Sequence, residues 1–143
     1  RHNLFFERFL NRNRKDPPPF FEVATLTAEP VYRTIDNKRT VDIKLTSFIP
    51  SLAEVPEKEL NALQERAIQS GFDFIDFWAV DFDYHPQQPF NHHWQAYRTR
   101  KNRALPTVSD LQYEYKQPGK HLACVKVIDV FGADTSITVE VNV

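Results

Sequence analysis

The chain has 143 residues, with 18 basic and 19 acidic side chains and a net charge of −1. That length suits one domain with a sizeable core, and the charge balance excludes a global polyanion-binding surface, so any nucleic-acid contact must come from a local patch. A single cysteine, Cys124, excludes an internal disulfide and suggests a reducing, cytoplasmic compartment; no apolar run is long enough to span a membrane, and no signal-peptide layout is present. Methionine is absent and the sequence starts at Arg1, which leads us to expect a fragment of a larger protein.

In residues 1–15, Leu4, Phe5, Phe6, Phe9 and Leu10 have a spacing compatible with one or two helical turns. We expect residues 1–19 to be a connector from a preceding domain, with an independent binding element as the alternative. Pro17, Pro18 and Pro19 give a stiff extended lead into the domain expected over 20–143. A first strand is predicted from Val23 to Ala28 and broken by Pro30, with Tyr32 to Ile35 as a second short piece. Asp36-Asn37-Lys38 has turn chemistry. It leads into a strand in which Val41, Ile43 and Leu45 alternate with Asp42, Lys44 and Thr46, the period of a strand with one buried face.

Residues 56–70 form the one predicted helix. Pro56 suits its first position, Glu57 and Glu59 its positive end, and Gly71 its exit. Leu60, Leu63, Ala67 and Ile68 make an apolar stripe. We expect it to cover an outer sheet face at Leu122, Cys124 and Ile128; docking of a partner is the alternative. A central strand is predicted over 72–84, with Trp78, Val80 and Phe82 on one face and Asp81 and Asp83 on the other. After a Pro-rich loop, Trp94 to Arg103 interleaves aromatic and basic residues. Residues 111–143 read as three strands. Pro118-Gly119 and Gly132-Ala133-Asp134 mark the two turns, and Ile137, Val139, Val141 and Val143 line the buried face of the last strand.

Several words in the second half carry a resemblance. Tyr113-Glu114-Tyr115, Pro118-Gly119 and the strand ending at Asp129 and Gly132 look like the closing strands of a PKD-like, immunoglobulin-type sandwich. Together with Phe77-Trp78-Ala79-Val80-Asp81-Phe82-Asp83-Tyr84, with 94–101 and with 125–135, they resemble the C-terminal domain of bacterial site-specific, adenine-specific DNA methyltransferases. The resemblance implies an accessory module in a restriction–modification setting that positions DNA or a partner subunit for a catalytic domain of the same chain, outside this fragment. Amino-methyltransferases grip the target amino group with an Asp-Pro-Pro-Tyr/Phe motif, and Asp16-Pro17-Pro18-Pro19-Phe20 is similar with one proline too many. That motif works beside a glycine-rich cofactor turn, and Gly71, Gly119 and Gly132 form none. S-adenosylmethionine is therefore expected only in the catalytic domain of the parent protein.

Other chemistry is weakly encoded. Asp81 and Asp83, joined by Asp129 or Asp134, could offer oxygen ligands to calcium, against the simpler reading of solvated turn aspartates. His85, His92 and His93 share one loop without a cysteine to complete a zinc pattern, and Cys124 sits mid-strand as a packing residue. No serine lies in a nucleophile elbow. We therefore expect no catalytic, cofactor or metal residues. Trp94, Tyr97, Arg98, Arg100, Lys101 and Arg103 remain as the candidate nucleic-acid contacts, because aromatics interleaved with cations suit phosphates and unstacked bases. The alternative is a core strand whose arginines pair with acidic neighbours, in a module that contacts only protein. The expected fold is an all-β, PKD/immunoglobulin-like sandwich of about seven strands with one inserted helix. Isothermal calorimetry of this chain with S-adenosylmethionine should show no binding; stoichiometric heat would contradict the reading.

Overall fold

The computed structural model describes residues 23–53 and 55–143. The expected connector at 1–19 and the proline run at 16–20 lie outside the described residues. Among the rest, β1 (Thr25–Ile35) and β2 (Lys38–Ile49) form an antiparallel hairpin. Its two-residue turn places Asp36 and Asn37 at φ 53° and 64°, the left-handed pair that matches strand twist in a tight hairpin. β1 is continuous where two short pieces are predicted. Pro30, opposite Ile43, is accommodated because β1 is an edge strand, where a missing amide leaves no ladder bond unmade.

The other side of β2 is occupied by residues 107–113. Leu45 N–H donates to the Thr107 carbonyl at 2.8 Å, Ser109 N–H to Ile43 at 2.9 Å, and Val41 and Tyr113 exchange bonds of 2.8 and 3.0 Å. This segment departs from a regular strand because Asp42 intervenes. Its carboxylate is fully buried and accepts from Ser109 Oγ at 2.8 Å and from the amides of Leu111 and Gln112 at 2.9 and 3.1 Å. Arg33 adds a bond of 3.2 Å. Gln112 consequently takes a φ of 56° and the ladder breaks. Asp42, expected on a wet face by alternation, is instead a buried anion satisfied by four donors. The expected strand after Leu111 reduces for the same reason to an isolated bridge at Tyr113.

The second sheet has the order β4-β3-β5-β6, from β3 (Ile75–Asp81), β4 (Trp94–Tyr97), β5 (Lys120–Asp129) and β6 (Asp134–Asn142), all antiparallel. The chain passes from the first sheet to the second after β2, returns to it at 107–113, and crosses again to β5. The result is an all-β sandwich with one inserted helix. Val41, Ile43 and Leu45 of one sheet and Trp78, Val80, Val125, Val127 and Val141 of the other fill the core. Trp78 is fully buried and donates its indole N–H to the Pro106 carbonyl at 2.8 Å. At one side, the Asn142 amide donates to Tyr32 Oη at 3.0 Å and joins β6 to β1.

The helix, α1 (Glu57–Gln69), lies between β2 and β3 as predicted. Ala67 is buried and Leu60 and Leu63 pack on the core, while Ile68 is exposed. Its principal contact is the short 3-10 turn Gly71–Phe74 that follows it, which takes the first residues of the strand expected over 72–84. It does not cover the outer face at Leu122, which stays 42% exposed. The connection between β3 and β4 covers part of that face instead: Lys126 Nζ sits 5.5 Å over the Phe90 ring, and His92 lies against Phe77. Gly71 is needed for close approach rather than for a helix exit, since an added Cβ would stand 1.7 Å from the Phe48 carbonyl oxygen. Gly71→Ala should therefore cost about 3 kcal/mol through forced backbone displacement. A urea midpoint equal to wild type would contradict this packing.

Candidate nucleic-acid interface

β4 is short, and its register on β3 decides which of its side chains are available. Trp94 and Ala96 pair with Val80 and Trp78, so they share the core face; Gln95 and Tyr97 pair with Ala79 and Phe77 and point outward. Trp94 meets Trp78 edge-on with centroids 4.6 Å apart and donates its indole N–H to Asp110 Oδ1 at 2.6 Å. It is a packing residue. Tyr97, at the end of the strand, is 58% exposed.

The chain turns immediately after Tyr97. The Arg98 amide donates to the Asp76 carbonyl at 3.0 Å. Its guanidinium reaches inward, with Nε on the Ile75 carbonyl at 2.7 Å, Nη2 on Phe72 at 2.9 Å and Nη1 on Arg103. The rigid fork of donors thus joins the 3-10 turn, the start of β3 and the far side of the 98–103 turn. Thr99 and Asn102 close that turn through the Thr99 amide on the Asn102 carbonyl and the Asn102 amide on Thr99 Oγ1, both 2.9 Å. Ala104 N–H is then capped by Asn102 Oδ1 at 3.1 Å. Arg100, Lys101 and Arg103 project from it, all exposed, and none makes an ion pair with a described residue. Among the described residues, no acidic neighbour pairs with these arginines as a core-strand reading requires. Of the six predicted contacts, Tyr97, Arg100, Lys101 and Arg103 are presented to solvent, whereas Trp94 and Arg98 build the scaffold beneath them.

The remaining candidates are separated. Asp81 and Asp129 sit opposite Cys124 and Ile75, at the two ends of β3. Both are buried rather than solvated. Asp81 accepts from the amides of Asp83 and Asn91 at 3.0 and 2.9 Å, and Asp129 Oδ1 accepts from those of Phe131 and Ala133 at 2.9 and 3.1 Å. Asp134 pairs with Lys126 at 3.5 Å. Among the described residues, no group of three or more His, Cys, Asp or Glu side chains is placed to hold a metal ion. His93 Nδ1 accepts the Phe82 amide at 3.0 Å, and its Nε2 lies 3.3 Å from the Asn91 side-chain amide. His85 lies 3.3 Å from Asp83, and His92 is turned toward Phe77 and Phe90.

Burial pushes the Cys124 thiol upward, with the nearby Asp81 carboxylate adding to the shift, so the inert packing role fits. The Tyr115 hydroxyl is raised well above the usual phenol range, first by burial and then by Tyr113 and Asp83; it donates to the Phe82 carbonyl at 2.5 Å. No helix among the described residues is long and apolar enough to cross a membrane.

The bonding of Arg98 separates it from its cationic neighbours experimentally. Arg98→Ala should cost about 2–3 kcal/mol of stability, in line with lost charge-assisted bonds, and Arg98→Lys should recover only part because an ammonium cannot span three carbonyls. Arg100→Ala should leave the unfolding midpoint unchanged. Equal stability of the Arg98 and Arg100 variants would contradict the assignment. In comparisons with known proteins, no family model, curated protein or solved structure matches this chain.

Proposed function

We propose that the domain is a non-catalytic accessory module that holds DNA by its phosphates at the 99–103 turn. The observation that carries this reading is the combination of three exposed cations, Arg100, Lys101 and Arg103, none in an ion pair with a described residue, with a backbone tied down by Arg98. Cations fixed on a rigid turn lose little freedom when they meet a phosphate, and phosphate contacts position a duplex without reading its sequence. The resemblance to the C-terminal domain of adenine-specific DNA methyltransferases supplies the setting: a cytoplasmic restriction–modification enzyme whose catalytic domain binds S-adenosylmethionine and lies elsewhere in the parent protein. With three contacts the binding should be weak, and log K should fall against log salt with a slope of about −2.7 on duplex DNA.

A second reading, docking of a protein subunit, is favoured by the β5–β6 turn. Val130 and Phe131 are both about half exposed there, beside an apolar cavity of about 360 Å³ that Val55, Leu63 and Phe131 line. Titration of a short duplex at several salt concentrations separates the two. Wild type should bind with the stated slope, and the Arg100→Ala, Lys101→Ala double variant should lose about two units of it. No binding, or equal binding by both proteins, would transfer the function to the apolar turn.

A further inference from the structure

The outer face of the β4-β3-β5-β6 sheet places aromatic rings beside the cationic turn that are distant from it in sequence. Tyr97 pairs across the strands with Phe77, so both rings stand on the same outward face. The Phe77 ring is 6.2 Å from His92, and His92 is 4.8 Å edge-on from Phe90. Lys126 then closes the row with its ammonium 5.5 Å over Phe90. Tyr97 and His92 are exposed, Phe77 and Phe90 half-buried, and the exposed cations follow directly from Tyr97. The row therefore begins at the phosphate-binding turn and continues across three strands.

We infer that this face is a stacking platform for single-stranded nucleic acid: the 99–103 turn holds the phosphates, and unpaired bases lie on Tyr97, Phe77 and His92. The inference rests on the DNA-contact reading above and narrows its substrate. Duplex DNA can use the three cations but leaves the rings idle, because its bases are already stacked on each other. A strand with free bases uses both, and every base has a face that an aromatic ring accepts, so little sequence preference is expected. Charge selects a polyanion, and ring exposure selects one with unstacked bases. A protein segment would meet the cations only through a run of acidic residues and would gain no such stack.

Three fluorescent probes of equal length resolve the claim: oligo(dT), a base-free deoxyribose-phosphate strand, and a duplex. Oligo(dT) should bind about tenfold more tightly than either of the others, on the scale of one or two stacked bases. Tyr97→Ala should remove about that factor for oligo(dT) and leave the base-free strand unchanged. His92→Ala should weaken oligo(dT) several-fold, and Tyr97→Phe, which keeps the ring, should bind as wild type. Equal binding of all three probes with no effect of Tyr97→Ala would overturn the platform while leaving the phosphate contact in place. Loss in Tyr97→Phe equal to that in Tyr97→Ala would overturn it too. No binding of any probe would overturn both readings.

Discussion

The guanidinium of Arg98 connects parts of the chain that no strand pairing joins. The carbonyls of Phe72 and Ile75 belong to a 3-10 turn and the first residue of β3, and the Phe72 carbonyl also accepts the Ile75 amide that closes the turn. Acceptors at such a junction must find donors when they leave water. Arg98 donates to both and also to the Arg103 carbonyl, so one side chain ties the junction to the turn that follows β4. The exposed cations follow a turn held by this bonding, while Tyr97 is placed by the register of β4 on β3. A cationic side chain that reads in sequence as part of a binding patch is instead bonded into the scaffold beneath its exposed neighbours.

Asp42 does the corresponding work in the other sheet with the opposite charge. Its carboxylate holds the amides of Leu111 and Gln112 and the Ser109 hydroxyl against β2, while Arg33 balances it. Asp81 and Asp129 repeat the device at the two ends of β3, each accepting amides from a reversing chain. The chain has only three glycines. Of these, Gly119 and Gly132 supply positive φ, and the other left-handed positions among the described residues fall to Asp36, Asn37 and Gln112. Much of the irregular backbone is thus directed by aspartate oxygens, which favour turns because they bond nearby amides. This use of buried aspartates also accounts for carboxylates that resemble a calcium site in sequence but point to different parts of the fold.

Alternation made β2, the core face of β5 and all of β6 legible, because each has one dry and one wet face. The helix was legible from its apolar stripe and its proline start. Asp42 was not, since a buried carboxylate and a solvated one occupy the same position in a period-two pattern. The partners that distinguish them, at Ser109, Leu111 and Gln112, are some seventy residues away. The division of 94–103 into scaffold and surface was likewise hidden: it depends on β4 stopping at Tyr97 and on Arg98 turning inward to three carbonyls that are distant from it or beyond the turn. The link between Phe77 and Tyr97 depends on strand register, and the placing of His92 depends on how the connection after β3 folds back. Neither leaves a signal in local composition.

We propose one face of the sandwich, the outer face at β3 and β4, as the nucleic-acid surface, held by Arg98 from below. Backbone amide NMR during titration with oligo(dT) tests it most directly. The largest shift changes should fall at Phe77, His92, Gln95, Tyr97 and residues 99–103, with β1 and the β5–β6 turn unmoved. Changes concentrated at Val130 and Phe131, or along β1, would contradict it.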